Sequence, residues 1–224
     1  MCNLSHSLGK YAAVFSLAAC FTFGAFPAQG GANPITPKSP KVPMDTYEWI
    51  QASPRTSYYF NKKYICYQTN SDGTVDVNLL RIPILRTYDC IQIADIIAKR
   101  RWHRQKWEGL DDLLAAEANN VTIDCEKRTV TIRDSILLTE TFGHLYDEPS
   151  GRVIELDKLS EQSLERRFFE SILQYAQDNP DKLIANTKGS LTEADQKKLV
   201  ATKKAEDKQR KAIEKAKKRP VTTG

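Results

Sequence analysis

Val121-Thr-Ile-Asp-Cys-Glu-Lys-Arg-Thr-Val-Thr-Ile132 is the stretch from which the rest of the chain is read. Apolar and polar residues alternate on both sides of Glu126-Lys127-Arg128, the period of strands with one covered face. The second run continues through Leu138, so Val121–Cys125 and Thr129–Leu138 are predicted as two strands around a polar turn.

The same signs extend toward the N-terminus. Tyr47-Glu-Trp-Ile-Gln51 reads as a strand. Thr56–Thr69 is rich in aromatic strand formers, with Asn61-Lys62-Lys63 as an internal turn. Asn70-Ser71-Asp72-Gly73 is a turn in which glycine supplies positive φ. Val75–Leu85 alternates again, and Pro83, which has no amide donor, is expected to push the strand's end to an edge or a bulge.

The period changes at Cys90. Cys90–Gln105 is predicted as an amphipathic helix, with Ile91, Ala94, Ile96 (or Ile97) and Trp102 inward and Arg100, Arg101 and Arg104 outward. A second helix is expected from Gly109 through Leu113, Leu114 and Ala116 to Asn119-Asn120. Beyond Leu138, Glu140–Leu145 is expected to continue a strand, Asp147–Gly151 to turn, and Val153-Ile154 to resume β structure. Ser160 is expected to cap a helix over residues 161–177, whose apolar face is Leu164, Phe168, Ile172, Leu173 and Ala176. Glu161 and Glu165 complement its positive end, and Asn179-Pro180 stops it. The resulting fold class is α+β: an antiparallel sheet of about five to six strands covered by helices over residues 45–180, followed by a basic C-terminal tail, helical or disordered, over residues 188–224.

Residues 1–30 read as a signal peptide: Lys10, then 16 apolar-rich residues from Tyr11 to Phe26, then Pro27 and the small residues Ala28, Gly30 and Ala32. The run is short for a bilayer span. Two processing routes fit. Ordinary cleavage would fall near residues 30–32, whereas Leu17-Ala18-Ala19-Cys20 has the form of a bacterial lipobox that would leave a lipidated Cys20 at the N-terminus. Residues 31–44, with four prolines, form a Pro-rich linker. The formal net charge of +5 is unevenly spread. The tail holds 12 Lys and Arg against 5 Asp and Glu, and residues 31–187 hold 20 against 23. The basic balance therefore belongs to the tail, and specific nucleic-acid binding by the body is not indicated. In the tail, Thr192 and Asp195 match a capping box, and Ala194, Ala201, Ala205, Ala212 and Ala216 form a narrow small-residue stripe.

Several of these segments together resemble the surface-adhesin protein E family of bacterial exported proteins, over about residues 46–176. Trp49-Ile50 followed by Tyr58-Tyr59-Phe60, and Asn70-Ser-Asp-Gly-Thr-Val-Asp-Val77, carry the resemblance in the first half. The second half adds the 121–132 strand pair, Tyr146-Asp-Glu-Pro-Ser-Gly-Arg-Val-Ile154, and Leu159-Ser-Glu-Gln-Ser-Leu164. The resemblance implies a helix-covered antiparallel sheet and binding of host matrix proteins. The family often pairs the cysteine that corresponds to Cys125 with one near the end of its last helix. No cysteine stands there in this chain, which leaves Cys90 as the substitute partner for a Cys90–Cys125 disulfide. Three cysteines remain after signal removal, Cys66, Cys90 and Cys125, so one pair can bridge, or all three can stay reduced and buried.

Arg100, Arg101, Trp102, Arg104, Lys106 and Trp107 form the densest basic-aromatic cluster of the body. Such a cluster can bind a protein or an anionic envelope or matrix polymer through Trp and Arg anchors. In the structural alternative Trp102 packs inward and the cations reach outward along their aliphatic stems. His103 and His144 are the only histidines after the signal, and a Cys125–His144 couple is the one arrangement that would suit nucleophilic catalysis. No calcium loop, zinc spacing or phosphate-binding glycine loop occurs, and no cofactor is implied. The sequence therefore points to a non-enzymatic exported protein of the periplasm or cell surface, a binding module. Membrane contact would come only through lipidation or the tail. The alternative is an envelope structural or assembly factor whose basic tail docks a partner or an anionic surface.

Overall fold

Both strands of the 121–132 hairpin form. The computed structural model describes residues 40–197, 199 and 200. The signal segment, Cys20, most of the Pro-rich linker and the tail beyond residue 200 lie outside the described residues. Eight strands are present: β1 (Tyr47–Ala52), β2 (Thr56–Asn61), β3 (Cys66–Thr69), β4 (Val75–Tyr88), β5 (Leu114–Asp124), β6 (Thr129–Thr139), β7 (His144–Glu148) and β8 (Val153–Glu155). The helices are α1 (Cys90–Trp102), the single turn α2 (Leu110–Leu113), α3 (Leu164–Asp178) and α4 (Pro180–Asn186), with a 3-10 turn at Leu156–Lys158. All strand pairings are antiparallel, in the order β1-β2-β4-β5-β6-β7.

The sheet is six positions wide although it has eight strands, because two of its strands are long. β4 is paired along one edge by β3 over Val75–Arg81 and by β2 over Ile84–Tyr88. β6 is paired along its outer edge by β8 and then by β7. Pro83 falls in the gap between β3's last partner, Arg81, and β2's first, Ile84. The missing amide therefore costs no ladder bond on that edge. The strand runs past Pro83 and beyond the expected Leu85 to Tyr88.

The helix expected over residues 109–120 is a strand from Leu114 onward. Leu114-Ala-Ala-Glu-Ala has good helix propensity, but that preference is worth only about a few tenths of a kcal/mol per residue. β4 and β6 offer continuous ladders on both sides of it, and Leu114, Ala115 and Ala116 are completely buried. Gly109, at φ 78°, makes the turn before α2, which ends after its first coil.

Helix α3 starts at Leu164, three residues later than expected, because Ser163 rather than Ser160 accepts from the backbone amide of Arg166. Its buried stripe is Phe168, Phe169, Ile172, Leu173 and Ala176. Asn179-Pro180 ends it, and Pro180 then opens α4, which sequence reading did not anticipate. Leu183 of α4 is fully buried in the main core. The compact unit does not stop at residue 180. The Thr69 hydroxyl donates to the Lys188 carbonyl, Thr74 bridges Ser190, and Leu191 and Leu199 pack against the core. Half of the capping box forms: the Asp195 amide donates to the Thr192 hydroxyl at 3.2 Å, and it is the Thr192 hydroxyl, not its amide, that donates to the Asp195 carboxylate. The described start of the tail is thus docked on the body.

Candidate functional site

One stripe of β4 carries the plan of the site. Leu80, Ile82 and Ile84 lie in the large core under α3 and α4. Tyr88, four residues on, lies in a second core with Ile93 and Ile97 of α1, Leu110, Leu114 and Leu137. Arg86 stands between them on the same face. The neighbouring strands repeat the pattern. On β5 the face reads Ile123, Val121, Asn119, Glu117. On β6 it reads Val130, Ile132, Ser135, Leu137, with Arg133 the extra residue of a bulge that brings Ile132 and Ser135 to one side. Two apolar cores therefore flank a polar band that no helix covers. The band is the floor of a cleft of about 1020 Å³ walled by α1 and by the turn from Glu148 to Arg152. A recess of about 380 Å³ beside Tyr58, Arg86 and Arg152 reaches the first turn of α3.

Glu117 is the hub of the band. Its Oε1 accepts from Asn119 Nδ2 and from the Ser135 hydroxyl, both at 2.7 Å, and its Oε2 accepts from the Tyr88 hydroxyl. Arg86 Nη1 stands 4.0 Å from Oε2, and both side chains are only 16% exposed. Burial pushes the Glu117 carboxyl up, but the Arg86 charge and the bonds from Asn119, Tyr88 and Ser135 outweigh it and hold it below the usual carboxylate range. Burial and the Glu117 charge push the Tyr88 phenol well above its ordinary value, so it stays a donor.

The network is incomplete at two points. Arg86 Nε and Asn119 Oδ1 are buried with no hydrogen-bond partner. Among the described residues the Arg86 guanidinium donates no hydrogen bond, and its nearest ring, that of Tyr58, is 5.7 Å from its central carbon. Buried polar groups are ordinarily paired, so a donor and an acceptor left unpaired beside the floor of a cleft mark where an ordered water or a ligand completes the bonding.

The basic-aromatic cluster is divided by the structure. Arg100 is 5% exposed and lies on the buried stripe with Ile93 and Ile97. It forms an ion pair with Glu148, donates from Nε to the Lys106 carbonyl at 2.5 Å, and covers the Tyr146 ring. Trp102 is 85% exposed, the reverse of the structural expectation. The cause is phase: Ile91 and Trp102 are eleven residues apart, three turns, and both stand on the outer face, while residues 93, 97 and 100 face in. Arg104, at φ 54°, ends the helix, and the Gln105 amide returns to the Arg100 carbonyl at 2.9 Å. Arg101 then lies over the half-buried Trp107 ring at 3.7 Å. Of the six residues, Arg100 is a structural anchor that also borders the cleft, Arg101 and Trp107 are stacked on each other, and Trp102, Arg104 and Lys106 stand exposed.

The Cys90–Cys125 bridge and the Cys125–His144 couple do not survive the topology, whereas the reduced alternative holds: Cys66, Cys90 and Cys125 are half-buried and none is in a disulfide. Cys90 follows Tyr88 and lies near the Thr87↔Ala116 pair, whereas Cys125 follows the Leu79↔Asp124 pair. Eight residues of strand, about 26 Å, separate those positions, far beyond the roughly 7 Å a disulfide spans. His144 pairs with Leu138 and Thr129 with Asp124, so Cys125 and His144 also sit at opposite ends of β6.

Sequence reading missed Arg86, Glu117, Asn119 and Ser135. One signal was present: the apolar parity Leu80, Ile82, Ile84 continues to Arg86, a charge on an otherwise buried stripe. Glu117 and Asn119 were hidden by the expected helix. The chain matches no known protein family and no curated protein.

Proposed function

We propose that this is a non-enzymatic exported binding module whose ligand sits in the polar cleft between α1 and the Glu148–Arg152 turn. One observation carries the reading: a buried arginine and a buried asparagine line the cleft floor, each with an open hydrogen-bonding atom. The segments that resemble the surface-adhesin protein E family, and the signal-like first 30 residues, support an adhesin-like role at the surface or in the periplasm. Binding rather than catalysis fits the chemistry of the band. Glu117 is already saturated by three donors beside a cation, which suits a fixed counter-charge better than a proton carrier.

Lys99 and Arg152 stand at the exposed rim, so reversing them leaves the floor intact. A panel of matrix proteins, envelope polysaccharides and their small constituents would be titrated against the wild type and a Lys99→Glu/Arg152→Glu variant. Ligands of the cleft should lose at least tenfold in affinity. A bound panel member whose affinity is unchanged in the variant, and unchanged when the floor is altered, places the binding surface elsewhere.

The second reading, an envelope assembly factor, draws on the docked residues 188–200. Their contacts are internal, and the part of the tail that would meet a partner lies outside the described residues.

A further inference from the structure

Resting on the cleft as the binding site, we propose that its ligand is a carboxylate with an N–H or O–H donor a few ångströms away: an N-acylated amino acid, or a sugar acid. The carboxylate is taken by Arg86 and the donor by Asn119. Glu117 does not serve Arg86 fully, because the oxygen that faces Arg86 accepts from Tyr88 and stays 4.0 Å from the guanidinium. That leaves a guanidinium, 16% exposed, with its hydrogen-bonding donors unused. A planar guanidinium with free donors matches a carboxylate in two-point geometry. Asn119 is 2% exposed, and its open Oδ1 accepts only from a donor. Arg86 faces Glu117 and Ile84 faces Asn119, so Arg86 and Asn119 are diagonal neighbours on one face, about 7–8 Å apart at the backbone. One small molecule can reach both.

The charge balance selects an anion. Each carboxylate around the cleft already has a cation: Glu117 has Arg86, Glu148 has Arg100, Asp95 has Arg55 and Glu165 has Arg152. Lys99, on the α1 wall, has no carboxylate partner among the described residues. The site thus carries one uncompensated positive charge, enough for a single carboxylate. A neutral polyol would leave the Lys99 charge uncompensated, and a multiply charged phosphate would crowd Glu117.

The probes are N-acetyl-alanine and glucuronate, each beside its methyl ester, titrated calorimetrically into the purified chain. One or both acids should bind, and the matching ester should bind at least tenfold more weakly. Which acid binds identifies the source of the carboxylate. Arg86→Lys keeps the charge but removes the two-point geometry and should cost at least tenfold in affinity. Because that variant can also disturb the fold, the Arg86 Nε–H resonance of the wild type gives an independent reading and should shift on adding the acid but not the ester. Equal binding of acid and ester, or an unmoved Nε–H resonance at millimolar acid, overturns the proposal. If an uncharged panel member then binds in a manner sensitive to Lys99→Glu/Arg152→Glu, the binding-module reading stands and only the carboxylate is wrong. If nothing binds the cleft, both fall.

Discussion

Replacing Glu117 with glutamine tests the physical basis of the site before any ligand is known. Gln keeps the volume and an Oε1 able to accept from Asn119 and Ser135. It loses the charge that faces Arg86. At 4.0 Å and an effective dielectric constant near 20, the lost attraction is about 4 kcal/mol. Breaking one member of a buried ion pair ordinarily costs about 3–5 kcal/mol, because the survivor is left without compensation. Both routes give roughly 4 kcal/mol, a large fraction of the ~5–15 kcal/mol that holds a domain together. Urea unfolding at pH 7, followed by tryptophan fluorescence, should show that loss as a lower midpoint at an unchanged slope. Replacing the pair together, Arg86→Leu with Glu117→Gln, should recover most of it, since no charge is left unpaired and the Gln oxygen still accepts from Asn119 and Ser135.

The pH dependence carries the same signature. The folded-state value of Glu117 lies below its ordinary value of 4.5. Its contribution is therefore fully present above about pH 4.5 and is lost as pH falls through the depressed folded value. Wild-type stability should decline on that acid limb, and Glu117→Gln should decline less. A loss below about 1 kcal/mol for Glu117→Gln, or a double variant whose loss is the sum of the two singles, would show that Arg86 and Glu117 are not coupled. The account of the polar band would then be wrong.

Arg100→Ala should cost about 3–5 kcal/mol through the stranded Glu148 carboxylate, while Trp102→Ala, two residues away, should change stability by less than about 0.5 kcal/mol; denaturant titration separates them. Leu183→Ala should cost about 2–5 kcal/mol in the same assay, because α4 is held to the core by this fully buried side chain. Gly189→Ala should loosen residues 188–200: Gly189 has φ +147°, and a Cβ would lie 2.9 Å from the Gly73 carbonyl and from Val75 Cγ2. Faster amide exchange there, with β4 and β5 unchanged, is the expected reading. Thiol titration of the denatured, unreduced signal-free chain should find three free cysteines, and a count of one would mean a disulfide that the fold does not hold. In the folded chain Cys66 should alkylate slowly, because burial raises its thiol against the opposing Arg81 charge.

The sheet was legible because its strands are bounded by strong local signals. Asn70–Gly73, Glu126–Arg128 and Asp147–Gly151 read as turns by composition, and the runs on either side of the first two alternate cleanly. What failed was reading across strands. β5 looked helical from Leu114 to Asn120 because an isolated segment shows only its own propensity, while its ladders come from β4, whose partners Pro83–Thr87 lie 29 to 37 residues earlier, and from β6. The phase of α1 failed for a related reason. Ile91 and Trp102 make one plausible stripe and residues 93, 97 and 100 another, and only Tyr88, Leu114 and Leu137 across the interface decide between them. Arg100 is buried because Glu148, 48 residues away, waits for it.

The band across the sheet was illegible for a stronger reason, and that reason bears on function. An all-apolar stripe would have let α1 and α3 meet, closing one continuous core at no electrostatic cost. Instead β4, β5 and β6 each place a polar residue at the same level: Arg86, Glu117 with Asn119, and Ser135. Burying Arg86 and Glu117 there costs several kcal/mol in desolvation, which their mutual attraction and the three donors on Glu117 only offset. Packing does not require such an arrangement, because the flanking cores of Phe168, Phe169 and Ile172 on one side and Ile93 and Ile97 on the other are each complete. Nor does the band finish its own hydrogen bonding, since Arg86 Nε and Asn119 Oδ1 remain open. A strip that weakens the core, keeps two helices apart and stays unsatisfied is best accounted for by what it holds when the cleft is filled. The Arg86→Leu/Glu117→Gln chain should therefore recover most of the wild-type stability and bind nothing there.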